Sequence, residues 1–129
     1  MAGYTLSDIR RFAASGRMRT TRKPLRDVRD ALVRGKHGKV HYFVWGNRVS
    51  TYNPRTGHLS VSSAGWETNL TKNRLNKVLP KGHITQKKFS WYYKTNGKTI
   101  PFKGRLRLNV GKNSRLGGAV RRYAMSRRR

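Results

Sequence analysis

The sequence lacks cysteine and has very few acidic residues. Without cysteine there are no disulfide bonds, thiolate zinc sites or thiol chemistry. Four acids stand against 31 lysines and arginines, so the formal net charge is +27. A chain with this charge repels itself unless an anionic partner lies against it. The acids are Asp8, Asp27, Asp30 and Glu67, so no acid compensates the bases beyond residue 67.

Long apolar runs are also missing. No stretch approaches the ~20 apolar residues of a membrane-spanning helix, and no signal peptide opens the chain. The glycines of residues 111–118 fit neither GxGxxG nor GxxxxGK[ST], the patterns of nucleotide-binding loops. We therefore expect a cytosolic protein that uses no cofactor.

Few residues could carry catalysis. The histidines His37, His41, His58 and His83 form no i, i+4 pair and no ligand cluster. Three of the four acids lie in the first 30 residues, whereas metal-dependent chemistry needs converging carboxylates. We expect no metal site and no enzyme. A metal-independent ribonuclease that uses Glu67 with His58 or His83 is an alternative.

The length of 129 residues suits one domain. Its apolar patterns predict an α+β fold, in which a small antiparallel β-sheet packs with two to three short helices. A flexible basic arm is expected to follow at the C-terminus. The predicted parts are an N-terminal helical segment at residues 1–35, an α+β core at 36–110 and an Arg-rich tail at 111–129.

Two helices are predicted in the N-terminal segment. The first covers residues 5–15, with Thr5 and Asp8 spaced as a capping box and Gly16 as its stop. The second follows Pro24, because Leu25, Val28 and Leu32 recur at helical spacing before Gly35. Residues 17–23 lie between them without apolar periodicity, which predicts an extended basic linker.

Alternating patterns predict the strands. Residues 38–62 read as a three-stranded antiparallel meander, and residues 83–102 as a hairpin that turns at residues 95–98. Residues 105–110 either extend that hairpin or add a strand. Within residues 87–94, Trp91 and Tyr93 share one parity and Tyr92 takes the other. Such aromatics either fill the core or stack on unpaired bases.

The stretch SAGWETNLTKNRLNKVLP, residues 63–80, predicts a further helix. Thr68 or Asn69 stands at its N-cap, and a Leu-Pro pair ends it. Thr68 has two interpretations: it caps the helix, or it contributes with Lys72 and Arg74 to a phosphate site at the helix N-terminus.

A basic domain with these features is typical of nucleic-acid binding. Membrane surfaces and acidic proteins are the competing partners, but the sequence shows no amphipathic anchor or lipidation signal. We expect non-enzymatic binding to the phosphate backbone that weakens steeply with salt. Base-specific recognition by a reading helix is not evident. The candidate nucleic-acid-binding residues are Arg17, Arg19, Arg22, Lys23, Thr68, Lys72, Arg74, Lys77, Lys87, Lys88, Arg115, Arg121, Arg122, Arg127, Arg128 and Arg129.

Residues 38–108 resemble small proteins of tailed bacteriophages, particularly those of actinobacteria. The resemblance is carried by Ser63, Gly65, Trp66, Thr68, Thr71, Lys72, Arg74, Leu75, Asn76, Trp91, Tyr92, Phe102 and Gly104. Ala64 and the Asn69-Leu70 pair depart from the pattern. The resemblance implies a phage origin without a known reaction.

Together with the charge, the resemblance favours a phage protein in the host cytoplasm, with packaging in the virion as the alternative. It also implies that Trp66 anchors its turn in the core. The polar side of the helix, formed by Thr71, Lys72, Arg74 and Asn76, is expected to face phosphate. A protein that docks on a host nucleoprotein machine, such as the ribosome or RNA polymerase, and a ribosomal protein remain alternatives.

Overall fold

The computed structural model describes residues 3–112. In chain order the described elements are α1 (Leu6–Ser15), β1 (Asp30–Arg34), β2 (Val40–Val44), β3 (Asn47–Tyr52), β4 (His58–Ser62), α2 (Asn69–Val78), β5 (His83–Lys87), β6 (Ser90–Thr95), β7 (Lys98–Pro101) and β8 (Arg105–Asn109), with single 3₁₀ turns at Leu25–Asp27 and Lys36–Gly38. The predicted α+β class is confirmed. Most of the predicted C-terminal arm, from residue 113 onward, lies outside the described residues.

The strands form two antiparallel sheets, whereas the sequence predicted one. A five-stranded sheet has the order β1-β2-β3-β4-β8, and a three-stranded sheet has the order β5-β6-β7. The predicted meander β2-β3-β4 and the predicted hairpin β6-β7 are both present. The two sheets are separate because β8, and not the hairpin, pairs with the free edge of β4. In this pairing Leu108 lies opposite Leu59.

The first helix forms as the sequence predicts. The Thr5 hydroxyl accepts the Asp8 N–H, and the Asp8 carboxylate accepts the Thr5 N–H, which completes a capping box. Gly16 ends the helix at φ 77°, a left-handed conformation that glycine adopts without steric cost.

The second predicted helix is wrong. Leu25–Asp27 forms one 3₁₀ turn, and Asp30–Arg34 is the edge strand β1, which pairs with β2. Cross-strand pairing and the burial of Leu32 outweigh a weak helical spacing. The segment before the turn is extended, because the Thr20 N–H donates to the Leu32 carbonyl at 3.0 Å along the outer edge of β1.

Both helices pack on one face of the five-stranded sheet. Tyr42, Tyr52 and Leu59 from this face are fully buried with the apolar sides of the helices. Helix α2 contacts both β3 and β5, so it joins the two sheets. Within residues 3–112, neither helix is long and apolar enough to cross a membrane.

Candidate nucleic-acid interface

Thr68 is exposed and lies immediately before α2, where it caps the helix. Its hydroxyl accepts the Thr71 N–H at 3.2 Å, and the two threonine hydroxyls lie 3.2 Å apart. The capping interpretation of Thr68 is therefore the one observed. An N–H group that a phosphate could have used at this helix end already has a partner.

The polar side of α2 largely faces the protein. Thr71 and Arg74 are 4% and 2% exposed, so the predicted phosphate-facing side is wrong for these two residues. Asn76 also works internally: its side-chain amide donates to the Ile84 carbonyl at 3.0 Å and accepts the Ile84 N–H at 2.6 Å. Asn76 thereby fixes the start of β5 against α2.

Arg74 binds Asp30 of β1, which lies 44 residues earlier in the chain. The Arg74 Nε donates to one carboxylate oxygen at 2.8 Å, and the Tyr42 hydroxyl donates to the same oxygen at 2.6 Å. Tyr42 in turn accepts the Tyr4 N–H at 3.0 Å. This network removes Arg74 from the surface, so its assignment to a phosphate contact is wrong in this fold.

The network also sets two pKa values. Burial raises the pKa of Asp30, but hydrogen bonds from Tyr42, Arg74 and Arg29 outweigh this effect and leave its pKa below the ordinary value. Burial, together with the hydrogen bond to Asp30, raises the pKa of Tyr42 well above its usual range. The carboxylate is therefore charged and the phenol neutral at physiological pH.

The remaining predicted lysines lie at or near the surface. The Lys72 Nζ, on α2, donates to the Gln86 side chain at 3.4 Å, and Lys77 is exposed in the last turn of the helix. Lys87 ends β5, and Lys88 occupies the turn to β6 at φ 57°. Phe89, beside it in that turn, is 95% exposed.

The predicted basic segment at residues 17–23 presents its charges to solvent along the edge of β1. Arg17, Arg19, Arg22 and Lys23 are exposed, and residues 17–22 line a depression of about 400 Å³. Backbone pairing with β1 holds the segment in place, so its cations are displayed from a fixed backbone.

Arg34 anchors this segment to α1. Its guanidinium donates to the carbonyls of Phe12, Ala13 and Arg17, at 2.8, 3.1 and 2.9 Å. These bonds satisfy carbonyl groups at the C-terminal end of α1, where a cation is favourable. Burial lowers the pKa of Arg34, but an arginine stays charged at neutral pH.

The three-stranded sheet has one buried face and one basic face. Trp91 and Tyr93 are each 3% exposed and pack in the core, which confirms core packing for that parity. Tyr92 alternates with them and is half-buried on the other face. Lys94 shares the face of Tyr92, where it pairs with His83 across the strands.

A basic cleft lies beside this face, and the sequence did not reveal it. It has a volume of about 660 Å³, and its basic side chains are Lys81, His83, Lys94 and Lys98. The three lysines are far enough apart in sequence to look like scattered surface charges. Lys94 lies opposite Thr99 and Lys98 lies opposite Thr95, and both lysines reach the cleft at the β6–β7 turn end of the sheet.

The outer face of the five-stranded sheet adds two further cations. Arg105 and Arg107 of β8 lie opposite Ser62 and Ser60 of β4 and are exposed. The Arg107 guanidinium lies 3.4 Å from the His58 ring. Neither arginine stood among the predicted residues, although their alternation with Leu106 and Leu108 was a signal for an exposed strand face.

Asp8 and Asp30 have basic partners within the described part of the chain. Asp8 pairs with Arg11, and Asp30 pairs with Arg74 and Arg29. Burial opposes the effect, but the hydrogen bonds at the α1 cap and from Arg11 lower the pKa of Asp8. These pairs leave the net charge unchanged at +27, because each occupies an arginine as well as an acid.

The residues considered for ribonuclease chemistry are spread over the fold. Glu67 precedes α2 and His83 follows it, so a ten-residue helix of about 15 Å separates them. His58 begins β4, whereas Glu67 comes after its end. His41 lies on β2 against the Thr51 hydroxyl, and burial, with repulsion from Arg48 and Lys39, lowers its pKa. Among residues 3–112, no cluster of three or more His, Asp or Glu could hold a metal ion.

Two further expectations concern Trp66 and the arginines of the C-terminal tail. Trp66 does not anchor its turn in the core, because its side chain is 58% exposed. The tail residues Arg115, Arg121, Arg122, Arg127, Arg128 and Arg129 lie outside the described residues.

Comparison with known proteins gives one family. The model of a family described as Kyanoviridae Gp96 protein matches residues 20–109, which is more than half of the chain. The comparisons with curated proteins and with solved structures gave no match. The family match confirms the phage origin that the sequence predicts.

Proposed function

Since the chain belongs to the Kyanoviridae Gp96 protein family, we propose that this phage protein binds nucleic acid without catalysing a reaction. The observation that carries the proposal is the one-sided charge, +27 in total. Asp8 and Asp30 are held in ion pairs with arginines of the same chain. A surface of this kind attracts a polyanion over distances of roughly the Debye length, about 8 Å at physiological salt.

Three basic areas support contact with phosphate groups. The first is the segment at residues 17–23, and the second is the cleft around Lys94 and Lys98. The third is the outer face of β8 with Arg105 and Arg107. In this proposal the tail at residues 111–129 adds further charge contacts. Arg74 is omitted because it lies buried against Asp30.

The proposed binding relies on counterion release. For duplex DNA, each neutralised phosphate changes the slope of log affinity against log salt by about −0.9. Titration of a labelled duplex at several salt concentrations measures this slope. The variant Lys94→Ala/Lys98→Ala is expected to make the slope shallower by about 1 to 2 units and to leave Tm unchanged. A duplex affinity that does not respond to salt would contradict the proposal.

Docking on a host nucleoprotein machine, or a role as a ribosomal protein, uses the same charge. A pull-down of tagged protein from infected cells, divided into nuclease-treated and untreated halves, separates these proposals from direct binding. Partners that vanish with nuclease support direct binding. A single host protein that survives nuclease and high salt supports docking instead.

A second pull-down, from purified virions, addresses where the protein acts. DNA recovered from purified virions together with the protein supports a packaging role, whereas recovery from the host cytoplasm alone supports a role during infection. The narrower kinship with actinobacterial phages rests on the Gly65-Trp66 run and stays a prediction. The ribonuclease alternative predicts that Glu67→Ala or His83→Ala abolishes RNA turnover while binding persists.

A further inference from the structure

Two tight turns present exposed indoles at the same groove. Trp45 is the first residue of the two-residue turn between β2 and β3, where it has φ 48° and Gly46 has φ 82°. Trp66 follows a second turn at residues 64–65, which its N–H closes by donating to the Ser63 carbonyl at 2.8 Å. Ala64 in this turn also has a positive φ, 54°.

The groove between the two turns has a volume of about 350 Å³. Val44, Val49 and Leu70 form its apolar floor, and Trp45 and Trp66 stand at its sides. The two indoles stay 48% and 58% exposed. A few polar groups on a largely apolar lining are typical of small-ligand sites, and this volume is near the lower end of their range, about 300 to 1,000 Å³.

The positive φ of Trp45 indicates that folding alone does not explain a tryptophan at this position. A bulky side chain at positive φ is uncommon and costs free energy, and a turn of this kind prefers Asn-Gly. Burial usually offsets such a cost, but the Trp45 indole remains half exposed. Strained residues that are not required by packing cluster at functional sites.

The net charge of the protein, +27, favours an anionic ligand, and the indoles favour one that carries a flat aromatic group. Near the Trp45 turn, the backbone of the exposed Arg26 lies against Gly46, whereas the exposed Arg48 lies opposite Phe43 on the other face of the sheet. Glu67 is exposed beside Trp66, so solvent and salt screen its repulsion of phosphate. Nucleic acid joins flat aromatic bases to phosphate, and unpaired bases leave their faces free to stack.

We propose that this groove binds an unpaired nucleobase of single-stranded nucleic acid, stacked on Trp45 and Trp66. The inference rests on the proposed function for the phosphate contacts and adds a preference for single strands to it. In a duplex the bases are already stacked, so the groove contributes nothing there. Bases differ little in their π-faces, and the preference is for single strands of any sequence.

The test compares three labelled probes of equal length: oligo(dT), an abasic strand with the same phosphates, and a duplex. We expect the protein to bind oligo(dT) more tightly than the abasic strand. One stacked base accounts for roughly 5- to 150-fold in affinity. Trp66→Ala is expected to lose this factor for oligo(dT) and to keep its affinity for the abasic strand and the duplex.

Three further variants serve as controls for the stacking interpretation. Trp66→Phe retains an aromatic face and is expected to recover most of the affinity. Ile100→Ala removes a side chain that is 44% exposed on β7, outside the groove, and is expected to change nothing. Trp45→Asn is expected to raise Tm, because asparagine suits the left-handed turn, while it weakens oligo(dT) binding. Loss of affinity with a gain in stability cannot arise from misfolding.

The outcomes separate the two proposals. Equal affinity for oligo(dT) and the abasic strand, or full oligo(dT) affinity in Trp66→Ala, overturns the base site and leaves phosphate binding intact. In that case a protein partner becomes the occupant to test for the groove. Failure to bind any of the three probes at low salt overturns nucleic-acid binding itself.

Discussion

Removing one partner from the Asp30–Arg74 pair should destabilise the fold strongly. The Arg74 side chain is 3% exposed and the Asp30 side chain 12%, so water cannot replace the lost partner. Breaking a buried pair on one side typically costs about 3–5 kcal/mol of unfolding free energy. We expect a loss at the lower end of this range for Arg74→Met, because Asp30 keeps its contacts with Arg29 and Tyr42. Asp30→Asn should cost somewhat less, because its amide oxygen can still accept the Tyr42 hydroxyl.

Urea denaturation of both single variants and of the double variant measures the coupling between the two residues. The double variant should lose less than the sum of the singles, because neither charge is then left buried without its partner. Lys77→Met is the matched control on the same helix, since Lys77 is exposed, and it should change stability by no more than about 0.5 kcal/mol.

Two results would refute this reasoning. A cost below about 1 kcal/mol for Arg74→Met would place the pair among weak surface ion pairs. A loss of nucleic-acid affinity in Arg74→Met, measured where the variant is still fully folded, would place Arg74 at the interface, as the sequence alone predicted.

Three further changes test the remaining internal contacts. Asn76→Ala leaves the buried backbone groups of Ile84 without partners and should cost about 1–3 kcal/mol of unfolding free energy in urea denaturation. A loss below about 0.5 kcal/mol would contradict a stabilising role for the two Asn76–Ile84 hydrogen bonds. Thr68→Ala removes the cap on the Thr71 N–H and should cost about 1 kcal/mol, while Thr68→Ser should retain most of that stability. The pKa of Asp30 is lower in the folded state than in the unfolded chain, about 3.9. The contribution of Asp30 to the unfolding free energy is therefore complete above the unfolded-state pKa and is lost as the pH falls through the folded-state pKa. In acid, the Tm of the parent protein should consequently drop more steeply than the Tm of Asp30→Asn.

Elements specified by local signals could be predicted from the sequence. The capping box at Thr5 and the stop at Gly16 define α1 without reference to any other part of the chain. The same holds for α2, with its cap at Thr68, and for the turn at Asn96-Gly97 between β6 and β7. Each of these signals acts within about one turn of backbone, so one sequence contains all the information.

Features that depend on distant partners could not be predicted. Asp30–Arg34 has a spacing compatible with a helix, but its pairing with β2 decides the outcome. The burial of Arg74 depends on Asp30, 44 residues away, and a run of lysines and arginines reads as a solvated face. The exposed position of Trp66 was equally hidden, because tryptophan is usually buried and the turn that turns it outward gives no signal about its direction.

Because Arg74 and Asn76 of α2 form hydrogen bonds within the fold, their substitution affects stability as well as any measured binding. Substitution of Arg74 or Asn76 should weaken nucleic-acid binding by unfolding the protein, without any contact to phosphate. A binding defect therefore identifies the interface only where Tm is not lowered. Lys94 and Lys98 meet this condition, because both residues are exposed. The proposed electrostatic interface is therefore best tested on the strands and on the basic segment along β1, although the sequence drew attention to the helix.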